Sequence, residues 1–160
     1  MKEQLRRPEG WFHPAVWARC VEMARNTPRH HGPFRWPEEK SRLGRHLGVV
    51  YVIWAVRGAD VICAYVGQTA KTPLERIGTH MGSSPLGNRI GHMRAEGYAL
   101  FVTYYVVHGG RKQWLSRVPG RYLDRSENLL LAAERRSILR LRPIFNRDDI
   151  ARSARARAGA

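Results

Sequence analysis

Residues 64–80, AYVGQTAKTPLERIGTH, gather a tyrosine, an arginine and a histidine around one strand-to-helix turn. Tyr65 lies near the end of a β-branched run that Gly67 stops. Thr72-Pro73-Leu74-Glu75 then opens a helix, with Thr72 at the N-cap, Pro73 at N1 and Glu75 at N3. Arg76 and His80 stand one turn apart on that helix, opposite an apolar face of Leu74, Ile77 and Met81. A guanidinium presents a planar fork suited to phosphate oxygens, and a glycine after a strand lets a backbone or a ligand come close. The same spacing also describes an ordinary solvated helix face.

A second chemical signal lies near the C-terminal end. Asp124 and Glu127 form a capping box for a helix running to about Leu141, where Pro143 stops it. With Leu131 at the centre of its buried face, Leu130, Ile138 and Leu141 flank at helical spacing and Glu134 falls inside the stripe. A carboxylate there must pair with an arginine or bind a cation, because an unpaired buried charge is very costly. Tyr51 and Tyr65 sit in strand-like runs, where tyrosine is ordinarily a packing residue.

The elements that must position these residues follow from local pattern. Residues 48–56, GVVYVIWAV, read as a strand; RGAD at 57–60 supplies a turn, and 61–66 returns, so the pair reads as a hairpin. GSSPLG at 82–87 breaks the first helix, and a short second helix is expected over 88–96. Residues 99–107, ALFVTYYVV, form a third strand by composition, followed by a basic loop, HGGRKQWLSRVPGR. The order strand, strand, helix, helix, strand, helix predicts an α+β domain with a small, largely antiparallel sheet over residues 47–149. Residues 1–46 read as an N-terminal extension or arm: a short helix after Pro14, then a Pro/Gly-rich loop in which His30 and His31 have no evident ligand partner. Residues 150–160 read as a basic, disordered tail.

Lys+Arg 28 against Asp+Glu 13 gives a net charge of +15, a field that favours polyanions, with nucleic acid the commonest. The sequence has no long apolar run, which argues against a membrane partner, and no apolar segment follows the first charges, so no secretory signal is read. Cys20 and Cys63 lack zinc-ligand spacing, and the simplest setting is reduced and cytoplasmic. The loop carrying Arg111, Lys112, Trp114, Arg117 and Arg121 concentrates charge around an aromatic able to stack or wedge, and is expected to grip DNA together with the N-terminal arm.

Taken in order, Val49-Val50-Tyr51, Tyr65-Val66-Gly67-Gln68-Thr69, Arg76 with His80, Glu134, and Pro143-Ile144-Phe145-Asn146 resemble the motifs of the GIY-YIG endonuclease family, across residues 47–147. The resemblance implies a three-stranded antiparallel sheet flanked by helices and a metal-dependent endonuclease acting on DNA, most simply double-stranded. It implies that Tyr51 is the general base or relay that activates water, and that Tyr65 orients water or the scissile phosphate. Arg76 would hold that phosphate, and His80 would act as hydrogen-bond partner or proton carrier. Glu134 would bind one Mg²⁺ or Mn²⁺, and Asn146 would fix the far side of the site. A stand-alone restriction-type or mobile-element enzyme fits the length best, and cutting both strands with one site per chain would call for a homodimer. The other readings are a non-catalytic nucleic-acid-binding protein and a nuclease toxin of low sequence specificity. The stretches 81–97 and 108–122 look like insertions relative to the family pattern.

Overall fold

The computed structural model describes residues 30–82, 84–107 and 121–146, together with Ala18. The expected arm helix, the DNA-gripping residues Arg111, Lys112, Trp114 and Arg117, and the basic tail lie outside the described residues.

The chain is a mixed α+β domain. Strand β1 (His30–Trp36) leads through a short 3₁₀ helix (Lys40–Gly44) into the hairpin of β2 (Val49–Arg57) and β3 (Asp60–Thr69). Helices α1 (Pro73–His80) and α2 (Pro85–Ala95), strand β4 (Ala99–Val106) and helix α3 (Arg121–Leu141) follow. The sheet is antiparallel with four strands in the order β1-β4-β2-β3, one more than the three expected. The additional strand comes from the segment read as a Pro/Gly-rich loop. Its pairing with β4 shifts register between His31 and Phe34, across Gly32-Pro33. Proline is tolerated at such an edge irregularity, and glycine is required: a Cβ at Gly32 would stand 2.8 Å from Val102 O. The domain body therefore begins well before residue 47, with Leu43 fully buried in its core.

The hairpin reading holds, with Gly58 at φ 59 opening a two-residue turn between the paired Arg57 and Asp60. Strand β2 is central and buried through Val49–Val56, which explains its unbroken apolar run. One face of the sheet, with Tyr51, Ile53, Val102 and Tyr104, packs against Leu43, Ile77, Ile90 and Met93. The other face, with Val50, Val52, Trp54, Val66 and Tyr105, packs against Ala133 and Ile138 of α3.

Helix α1 starts as expected, Thr72 Oγ1 accepting from Glu75 N at 3.3 Å. Helix α2 starts earlier than the spacing suggests, because Ser84 caps it by accepting from Gly87 N at 3.0 Å and Pro85 occupies the first turn. Helix α3 already runs from Arg121, so Asp124 lies inside it and is not its N-cap.

The apolar stripe of α3 is rotated from the expected one. Leu131 is 37% exposed, while Leu130, Ala133, Ser137 and Ile138 are buried. The small residues make room for Tyr105, whose hydroxyl donates to Ala133 O at 3.1 Å and meets Ser137 Oγ at 2.5 Å. A polar contact thus ties helix to sheet, and the half-buried Glu134 stays between the buried Leu130 and Ile138 at helical spacing. No helix among the described residues is long and apolar enough to cross a membrane.

Candidate active site

Tyr51 lies on central strand β2, directly opposite Gly67 of β3 on one side and Tyr104 of β4 on the other. Its ring leans over Gly67: a Cβ there would overlap Tyr51 Oη and Cζ and lie 2.8 Å from Tyr65 Cε1. Gly67 is therefore an interior strand residue, not the residue that ends the strand. Its missing side chain admits the protein's own tyrosine rather than a ligand.

Tyr65 reaches the same face by an irregularity. Ile53 pairs with Tyr65 and Trp54 with Cys63, so Ala64 is an extra residue on β3. Both Ala64 and Tyr65 pack toward the Tyr51 face, whereas simple alternation would send Tyr65 to the opposite one. The Tyr51 and Tyr65 rings are 6.2 Å apart between centroids. His80, at the end of α1, sets its ring edge-on to Tyr65 at 5.6 Å. The strand-to-helix turn thus brings Tyr65 and His80 into contact.

The Tyr51 hydroxyl is fully buried and has no hydrogen-bond partner among the described residues. Burial raises its pKa well above the usual tyrosine value, and the neighbouring Tyr65 and Glu134 push the same way. The Arg76 guanidinium opposes them, favouring the phenolate. Arg76 is itself exposed, so the phenol is buried beneath a cation that faces solvent. Glu134, on the helix covering the other face, acts by its charge on Tyr105 as well as on Tyr51. Ring contacts thus join Tyr51, Tyr65 and His80, while the charges of Arg76 and Glu134 reach the Tyr51 hydroxyl.

Asn146 stands one step behind that centre. After α3, Arg142 takes φ 49 and the chain turns back along the exposed edge of β3, with Ile144 N donating to Cys63 O at 3.1 Å and Phe145 N to Ala64 O at 3.0 Å. Asn146 then closes the edge with its side chain: Oδ1 accepts from Val66 N at 2.8 Å and Nδ2 donates to Val66 O at 2.7 Å. Its amide holds the backbone between Tyr65 and Gly67.

A cluster that the sequence does not reveal adjoins Tyr51. His31, read as a plain loop residue, stacks on Tyr104 at 4.9 Å between centroids and lies 4.4 Å from the His46 ring. His46 Nδ1 and Tyr104 Oη are in hydrogen-bond contact at 2.8 Å. Tyr104 is 1% exposed, and burial pushes its pKa up to about 12 against the pull of Arg45. The sequence signal that could have found this cluster is the tyrosine pair in the third strand, one of which must share the Tyr51 face.

Glu134 is the carboxylate whose charge reaches this centre. A hard divalent cation such as Mg²⁺ keeps most of its waters and binds through one or two carboxylates plus phosphate oxygens. A carboxylate whose charge reaches a buried phenol oxygen suits such an ion. The chain matches no protein-family model, no curated protein and no solved structure.

Proposed function

We propose that this protein is a metal-dependent DNA endonuclease of the GIY-YIG kind, hydrolysing a phosphodiester bond at the Tyr51 centre. The observation that carries the reading is the buried Tyr51 hydroxyl, without a hydrogen-bond partner among the described residues and within reach of the charges of Arg76 and Glu134. A buried polar group left unsatisfied costs about 1–3 kcal/mol, so its retention calls for a reason outside packing. The net charge of +15 supports a polyanionic substrate.

In this reading a water oxygen forms a bond to phosphorus while the bond to the leaving oxygen breaks, and one proton passes from the water to the departing alkoxide. With its pKa raised by burial, Tyr51 is a neutral phenol at neutral pH. It works as a relay, accepting a hydrogen bond from the attacking water and passing on its own proton, rather than as a resident phenolate base. Arg76, exposed above it, grips a non-bridging phosphate oxygen and stabilises the charge that grows there. Tyr65 orients the water or the phosphate, and His80, against the Tyr65 ring, holds or carries a proton. Glu134 holds Mg²⁺ or Mn²⁺, which when bound supplies Lewis-acid stabilisation of the phosphate and the leaving oxygen. Asn146 keeps the Tyr65–Gly67 backbone in place through Val66. Double-stranded DNA, a cytoplasmic setting and pairing of two protomers for a double-strand cut belong to the same proposal.

The test is cleavage of duplex DNA with Mg²⁺ and with EDTA, by wild type and by Glu134→Gln. Loss of the ligand charge forfeits several kcal/mol of stabilisation, so cleavage should fall by at least about 100-fold while DNA binding survives. Full cleavage by the variant, or by wild type in EDTA, overturns the metal assignment. Tight DNA binding with no cleavage under any metal points to the non-catalytic reading.

A further inference from the structure

Helix α3 turns two different faces to its surroundings. Inward it packs Leu130, Ala133, Ser137 and Ile138 on the sheet. Outward, Ala132 and Leu139 form a low ridge, Leu139 being 75% exposed. At 100° per residue, Arg135 flanks that ridge on one side and Arg136 and Arg140 on the other, with Arg142 just past the helix end, and all four are exposed. From residue 129 to the end of the helix no acidic residue is exposed, and Glu134 is half-buried on the inward side. Guanidinium groups on both sides of a ridge of small and apolar residues have a specific complement.

We infer that the outward face of α3 is a duplex-DNA docking surface, its arginines on phosphates either side of a groove and the Ala132–Leu139 ridge toward the base edges. The major groove, about 12 Å wide, admits a helix of about 10–12 Å. Arginine forks suit phosphates, and alanine-sized or apolar side chains suit thymine methyl groups. A second copy of this chain is disfavoured as occupant, because the same four arginines would meet themselves across a two-fold axis. The inference rests on the nucleic-acid part of the proposed function and not on cleavage.

The test is binding of a mixed-sequence DNA duplex to the full chain in EDTA, followed by fluorescence anisotropy across a salt series. The triple variant Arg135→Gln, Arg136→Gln, Arg140→Gln keeps helix propensity and changes only exposed positions. Each lost phosphate contact lowers the slope of log K against log salt by about 0.9, so the triple variant should lose about 2–3 from the slope and bind at least about tenfold more weakly. A control losing the same charge elsewhere, Lys40→Gln, Arg42→Gln, Arg94→Gln, should lose less than half as much. Leu139→Glu, placing one anion on the ridge, should weaken binding by a further measurable factor. Equal slopes for wild type and the α3 variant overturn the inference, as does an equal loss in the control, which would mean bulk charge alone. Binding of this face to phosphatidylserine vesicles but not to duplex also overturns it. Because no step requires cleavage, an inactive protein that shows the α3 effect would sink the nuclease proposal and leave the docking surface standing.

Discussion

Tyr51 is held where an ordinary core tyrosine would not be stable without compensation. Its ring fills the space above Gly67, yet its hydroxyl is buried with no hydrogen-bond partner among the described residues. Removing the oxygen alone removes the unsatisfied group. Tyr51→Phe should therefore be at least as stable as wild type in urea unfolding, while cleavage falls by about 100-fold or more. A variant that cuts normally would reduce Tyr51 to packing. The ring and the glycine are also a matched pair. Gly67→Ala should destabilise by about 1–3 kcal/mol through overpacking, and in a Tyr51→Val background the same change should cost little. A double-mutant cycle read by denaturant midpoints measures the coupling, and additive effects would mean that the two residues do not share the space.

At the scale of elements, the site depends on how β3 is bent and held. The extra residue at Ala64 turns Tyr65 to the Tyr51 face, and the Ile144–Asn146 segment seals the strand's outer edge just beyond it. Asn146 supplies both an acceptor and a donor to Val66, two residues in front of Gln68 and one before Gly67. Asn146→Ala leaves a buried N–H and a buried C=O without partners, a loss of about 2–4 kcal/mol. Asn146→Asp should fare little better, since a carboxylate oxygen would then face the Val66 carbonyl. Thermal unfolding should show both losses, and activity should recover in parallel at temperatures where the variants are folded. A stable Asn146→Ala protein with no activity would instead place the side chain in the chemistry.

The whole molecule carries an alkaline liability. Tyr51, Tyr104 and Tyr105 all have pKa values raised by burial, that of Tyr104 to about 12. A group whose folded pKa exceeds its unfolded value, near 10 for tyrosine, binds its proton more tightly in the folded state. Its contribution is fully present below pH 10 and is lost as pH rises through the folded pKa. Tyr104 alone accounts for about 2–3 kcal/mol lost between about pH 10 and pH 12. Denaturant unfolding from pH 8 to 11.5 should show stability level to about pH 9.5 and falling beyond it, with Tyr104→Phe flattening the decline. A flat profile throughout would mean that these hydroxyls are not held from water.

Much of the site was legible locally. The β2–β3 hairpin, the Thr72 cap, the α1 face with Arg76 and His80, and the order of Tyr51, Tyr65 and Glu134 along the chain all come from turn residues, caps and periodicity, which act over a few residues. What only the tertiary structure decided has long-range causes. Strand β1 forms because His30–Trp36 finds the edge of β4, about 70 residues away in sequence, despite a Gly-Pro composition that locally disfavours a strand. Tyr65 shares a face with Tyr51 because of one unpaired residue that alternation cannot reveal. Helix α3 turns Leu131 outward because Tyr105 needs Ala133 and Ser137 beneath it. Asn146 finds Val66 across 80 residues. Local free energies select the elements; contacts between distant segments choose which side chains meet, and the candidate chemistry rests on the second.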